Sequence, residues 1–114
     1  MLKITEFVFF LLLLHKTIQT MGTIQHQHQG GKGSFYYEAD GKKLAEMVYT
    51  MEGEHKMVIE HTEVDDSLRG QGIGKKLQEA LVQYLRAHHI KVLPLCPFAK
   101  ATFDKMQDWQ DVLV

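Results

Sequence analysis

From Ser34 onward, apolar positions first alternate and then switch to a helical period, so the chain reads as strands followed by a helix. Phe35-Tyr36-Tyr37 is aromatic and favours extended backbone, and Asp40-Gly41 is a tight-turn pair. A second apolar run, Leu44 to Met51, ends at the turn residues Glu52-Gly53-Glu54, and a third run follows from Lys56 to Val64. Within that third run, strict alternation puts Met57, Ile59, His61 and Glu63 on one face and Val58, Glu60, Thr62 and Val64 on the other. Two closely spaced turns between β-rich runs predict a three-stranded antiparallel meander.

The period changes after Asp65-Asp66-Ser67. Ile73, Leu77, Ala80, Leu81, Tyr84 and Leu85 recur on one helical face, with Lys75, Lys76, Gln78, Glu79, Gln83 and Arg86 on the remainder. Burying that stripe against a sheet is what would stabilise the helix. His88 and His89 fall near its C-terminus, where a cation is favoured. Ile90 to Leu95 is a short β-like run broken late by Pro94; a helix is predicted from about Phe98 to Met106, and Trp109 to Val114 reads as a final strand. A helix-covered crossover joining two strands predicts that they lie parallel. The order β-β-β-α-β-α describes an α+β fold with a mixed, mainly antiparallel sheet in residues 34–114. Residues 21–33 are polar and glycine-rich and read as a flexible lead-in, with His26 and His28 as solvated linker histidines. There is no internal repeat and no sign of a second domain.

Residues 1–20 form a hydrophobic N-terminal extension. Its apolar core, Phe7 to Leu14, is too short to cross a bilayer, which takes about 20 helical residues. Glu6 interrupts the approach to it, and no small-x-small cleavage site follows. Met21 is therefore read as the real or alternative start of the working domain, with a signal- or anchor-like segment and a structural helix as the other readings of residues 1–20. A formal net charge of −1 gives no basic excess for nucleic acid, and no membrane partner is expected for the folded domain. Cys96 is the lone cysteine, which excludes an intramolecular disulfide and a four-cysteine zinc site. No metal is expected, and the expected setting is reducing and cytoplasmic.

The candidate chemistry starts at Arg69-Gly70-Gln71-Gly72-Ile73-Gly74, between a predicted strand and a predicted helix. Glycine lets backbone turn sharply and approach a ligand closely. The first turn of a helix leaves unpaired N–H groups at its electropositive end, so the segment suits an anion such as a nucleotide diphosphate. Arg69, Lys75 and Lys76 add positive charge. Two familiar phosphate motifs fail on spacing: Gly74-Lys75 is followed by Lys76 where a Walker loop needs Ser or Thr, and a dinucleotide fingerprint needs glycine where Lys75 stands. The pattern Q/R-x-x-G-x-G/A fits at Arg69, Gly72 and Gly74.

At these residues the chain resembles the GNAT family of N-acetyltransferases. Val64 to Gly74 is similar to that family's coenzyme A pyrophosphate motif. His61-Thr62-Glu63-Val64 and Cys96-Pro97-Phe98-Ala99 extend the likeness to a subgroup of very small GNAT-like domains, the YjdJ type, over roughly residues 34–113. The resemblance implies the acyl-CoA N-acyltransferase fold and acetyl-CoA as cofactor. It places the cofactor's diphosphate on amides around Arg69, Gly70, Gln71, Gly72, Ile73, Gly74 and Lys75. It also implies a pantetheine arm lying beside Val64 like an added strand, and a cleft where the Ile90–Leu95 strand splays away.

Acetyl transfer needs a deprotonated amine, a polarised carbonyl and a proton for the departing thiolate. Larger GNAT enzymes often supply that proton from a tyrosine; Phe103 stands at that position here and has no proton to give. Cys96, between the cleft strand and a helix N-terminus, is the substitute candidate, to take the acetyl group or to protonate the thiolate. The bland alternative is a small buried pocket residue. His61 is the candidate base, with Glu63 two residues away on the expected shared face; a structural hydrogen-bonding role is the alternative for each, and the favoured one for Glu63. The expected activity is acetyl transfer to an amine of a small molecule or protein, by a monomer or weak homodimer. A coenzyme A-binding module with little or no catalysis and an interaction domain without cofactor are the alternatives.

Overall fold

The computed structural model describes residues 22–114, so the expectations for residues 1–20 and Met21 lie outside the described residues. Four antiparallel strands follow one another: β1 (Thr23–Gln29), β2 (Lys32–Ala39), β3 (Lys42–Met51) and β4 (Lys56–Val64). Helix α1 (Ile73–His88) then crosses over to β5 (Lys91–Pro94), which pairs parallel to β4 at the end of a sheet ordered β1-β2-β3-β4-β5. Helix α2 (Pro97–Lys105) and a 3-10 segment (Gln107–Val112) complete the chain. The α+β class, the mainly antiparallel sheet and the parallel crossover match the expectation.

Three elements differ from it. The 21–33 lead-in contains β1, which hairpins onto β2 through Gly30-Gly31, both with positive φ, as a two-residue turn matched to strand twist requires. Its alternation is carried by Ile24 and His26 pointing inward and glutamines pointing outward, so it does not read as an apolar strand. His26 is correspondingly not a linker histidine: its ring stacks on Phe35. The predicted last strand is a 3-10 turn instead, because Trp109 and Val112, three residues apart, share its buried side; only Leu113 bridges to Val92.

The third difference sets up the site. Val48 stands opposite His61 but Tyr49 stands opposite Ile59, so Glu60 is an extra residue in β4. Such a bulge shifts alternation by one. Met57 and Ile59 face the core, and beyond the bulge Thr62 and Val64 take over that face, opposite Met47 and Ala45, while His61 and Glu63 turn to the other side.

Both helices lie on one face of the sheet. Leu77, Leu81 and Leu85 of α1 are fully buried with Met47, Tyr49, Met57 and Ile59. A second buried line on α1, Gly74, Gln78 and Val82, follows the four-residue helical spacing; its first two members meet α2 at Phe98 and Ala99. Arg86 ties the helix to the C-terminal turn through Asp111 at 2.8 Å. No helix among the described residues is long and apolar enough to cross a membrane.

Candidate active site

The parallel pairing of β4 with β5 stops at Ile59 and Pro94. Proline has no N–H to continue the ladder, and the next two amides, Leu95 and Cys96, both donate to the Ile59 carbonyl at 3.0 and 3.2 Å. The chain then turns into α2. Among the described residues, β4 beyond Ile59 has a strand neighbour on the β3 side alone, and residues 60–64 present an unpaired edge next to Cys96. An unpaired edge is a template for an added extended chain.

That edge leads into the glycine turn. Asp65 caps a short 3-10 turn (Asp66–Leu68) by accepting from the Ser67 amide at 2.9 Å, and hydrogen bonds from Ser67 hold its carboxyl below the usual carboxylate range. Gly70 and Gly72 follow with φ of 79° and 70°, a left-handed backbone that favours glycine. Helix α1 starts without a side-chain cap and without an acidic residue in its first turn. Lys76 makes the first helical bond, to the Gly72 carbonyl at 3.1 Å, while the amides of Gly72, Ile73, Gly74 and Lys75 find no acceptor within the described residues. Four free donors at an uncapped positive helix end suit a diphosphate.

Two details narrow the predicted cradle. The Arg69 and Gln71 amides are spent internally, on the Asp66 and Leu68 carbonyls, so these residues offer side chains rather than backbone. The Arg69 guanidinium meets Asp66 at 3.0 Å in an exposed pair, which is weak enough to yield to a phosphate. Gly74, in turn, has helical backbone; its missing Cβ makes room for the ring of Phe98, whose Cε1 would lie 2.9 Å from that atom.

The predicted catalytic residues separate into two places. Cys96, buried at 6% exposure, caps the N-terminus of α2 on the helix-covered face, and its Sγ donates to the Thr62 hydroxyl at 3.3 Å. His61 and Glu63 form their own exposed pair at 2.9 Å on the opposite face, so the bulge keeps them together but separates them from Cys96. Glu63 stands across from Glu46, and each glutamate has its own polar partner: the His61 ring at 2.9 Å on one, the Lys43 ammonium at 2.9 Å on the other. Burial raises the Glu46 pKa, but hydrogen bonds from Lys43 and Ser34 outweigh it and hold the carboxyl below its ordinary value. A hollow lined by Lys43, Glu46, Glu63, Val64 and Asp65 adjoins this end of the β4 edge. Thr62 and Phe98 were not singled out from sequence; both sit inside the His-Thr-Glu-Val and Cys-Pro-Phe segments that carried the resemblance. Phe103 is a core residue, edge-on to Trp109 at 5.8 Å.

Comparison with known proteins shows the family and the fold. A family model for GCN5-related N-acetyl-transferases matches residues 34–112. A GCN5-like structure from Staphylococcus aureus, solved by NMR, is 35% identical, with 79% of this chain and 87% of that chain covered and a TM-score of 0.62. The ribosomal-protein-S18-alanine N-acetyltransferase of Escherichia coli shares the fold at 18% identity and a TM-score of 0.59, over 70% of this chain and 54% of that one. A ribosomal-protein-alanine N-acetyltransferase from Brucella melitensis does so at 16% identity and a TM-score of 0.58, over 75% and 70%. No curated protein matches the chain. With the family model spanning most of its length, the chain belongs to the GCN5-related N-acetyltransferases.

Proposed function

We propose that the protein, as one of the very small YjdJ-type members, transfers an acetyl group from acetyl-CoA to an amine of a small molecule or protein. The observation that carries this is the junction of two unfilled hydrogen-bonding surfaces: the free amides of Gly72 to Lys75 and the unpaired β4 edge over residues 60–64. One suits a diphosphate and the other an extended amide-bearing arm running beside Val64. Arg69, Gly70 and Gln71 border the first surface.

Acetyl-CoA supplies the acyl group as an activated thioester. His61, on the uncovered face, takes the proton from the incoming amine, and Glu63 orients its ring. Cys96 supplies a proton to the departing sulfur from the other side. The Thr62 hydroxyl accepts from the Cys96 thiol in the resting state and can turn to donate to the thiolate once that proton has left. The amine arrives over the uncovered sheet face, so proton removal and proton delivery are served from opposite sides of β4. We place this activity in the cytoplasm, in a monomer or weak homodimer.

The second reading, a coenzyme A-binding module with little catalysis, is favoured by one observation: Phe103 is buried in the core and offers no acid. Thermal shift with acetyl-CoA and thiol release across an amine panel separate the two. A raised melting temperature with amine-dependent thiol release supports transfer. A raised melting temperature with no release supports the binding module, and no shift rejects both.

A further inference from the structure

The exposed large apolar side chains among the described residues are Leu95, Phe98 and Val114. Two of these three, Leu95 and Phe98, flank Cys96, at 61% and 42% exposure. Apolar surface concentrated beside an unpaired edge and free amides is more informative than the same surface scattered.

Phe98 is fixed in a particular way. Its ring lies against the first turn of α1, in the space that a Cβ on Gly74 would fill. Gly74 has helical backbone, so its φ does not require glycine, and glycine weakens a helix relative to alanine. What the missing Cβ permits is the close approach of this ring. One turn further along α1, Gln78 donates to the Ala99 carbonyl at 2.9 Å, which holds the first turn of α2 against α1. The ring therefore lies against the amide-bearing first turn of α1, two residues along the chain from Cys96, with part of its surface in solvent.

We propose that Phe98 is a specificity-determining residue for the acyl carrier, and that its exposed ring face packs against the apolar part of the pantetheine arm between the amide cradle and Cys96. This rests on the acyl-CoA reading of the site. The ring discriminates between carriers by their arm: a ligand with diphosphate alone engages the amides of Gly72 to Lys75 but leaves Phe98 uncovered. Gly74 acts through Phe98 as a positioning residue.

Calorimetry with coenzyme A and with ADP on wild-type, Phe98→Ala, Phe98→Leu and Gly74→Ala proteins tests this. Phe98→Ala is expected to weaken coenzyme A binding by about tenfold or more, the scale of one lost aromatic face, and to change ADP binding by less than about twofold. Phe98→Leu, which keeps apolar contact, is expected to recover most of that loss. Gly74→Ala is expected to weaken coenzyme A binding in the wild-type background and to add almost nothing in a Phe98→Ala background. Circular dichroism checks folding; should Phe98→Ala unfold, Phe98→Gln carries the same comparison. Wild-type binding with Phe98→Ala unchanged, or with coenzyme A and ADP weakened equally, overturns this inference alone. A wild-type chain that does not bind coenzyme A overturns the acyl-CoA reading and this inference with it.

Discussion

The Nε2 atom of His26 lies 2.6 Å from the hydroxyl of Tyr49, between the sheet and α1. The imidazole also stacks on Phe35 with centroids 4.0 Å apart and meets the edge of Tyr84 at 4.6 Å, so this contact joins the outermost strand to β3 and to the helix. Burial and then the neighbouring Tyr84 push the Tyr49 phenol up to about 12, which leaves it a protonated donor and the neutral imidazole its acceptor.

A pH dependence follows. Burial, then His28, then His88 hold His26 below its ordinary value. A folded-state value below the unfolded one means that the unfolded chain binds the proton more readily. The stability from this residue is therefore complete above about pH 6.5 and is lost as pH falls through the lowered folded value. Thermal melts between about pH 7.5 and 5 check this. His26→Phe is expected to flatten the decline while costing roughly 1–3 kcal/mol at neutral pH, because the buried Tyr49 hydroxyl loses its partner. Equal slopes in the two proteins would reject the assignment.

Cys96→Ala is expected to lower acetyl transfer by about 10²-fold or more, the scale of a positioned acid, with coenzyme A affinity within about threefold of wild type. Thr62→Val, which removes the hydroxyl that receives the thiol's hydrogen bond, is expected to fall between the two. Steady-state rates and calorimetry on the same preparations decide it. Unchanged turnover in Cys96→Ala returns the cysteine to a packing role.

Gly33→Ala probes the His26–Tyr49 contact from below. A Cβ at Gly33 would overlap the Tyr49 phenol and come within 2.7 Å of the Gln27 carbonyl, a backbone atom that cannot swing aside. A loss towards the upper end of roughly 1–3 kcal/mol is expected from the urea midpoint. An unchanged midpoint would contradict the packing described.

Gln78 is fully buried, and its Oε1 has no partner among the described residues although its Nε2 is bonded to Ala99. Gln78→Met removes both the orphan acceptor and the single bond while keeping the volume. Stability within about 1 kcal/mol of wild type, or above it, is expected in a denaturant titration. A loss above roughly 3 kcal/mol would mean that the amide makes further bonds.

Much of this fold was legible because its turns and its main helix carry strong local signals. Asp40-Gly41 forms the expected hairpin, both residues with positive φ, and Leu77, Leu81 and Leu85 face the sheet as their spacing requires. The misses share a cause: the deciding information lies in partners rather than in composition. Nothing in Lys56 to Val64 marks Glu60 as the extra residue, because the bulge is a matter of register with β3. β1 hides its inward face behind a histidine that only Phe35, Tyr49 and Tyr84 make apolar enough to bury. Gln78 reads as a solvent position by its spacing alone, and it is α2 packing over it that buries it. At the site, the positive-φ glycine turn and the helix start behind it were legible, whereas the close approach at Gly74 depends on the ring of Phe98, far away in sequence.

The most direct test of the cofactor site is an amide-resolved NMR titration of the protein with coenzyme A. The largest shifts are expected at Gly72, Ile73, Gly74 and Lys75, with a second set at His61 to Val64 along the unpaired edge. Saturable shifts that leave both stretches untouched and appear elsewhere would contradict it.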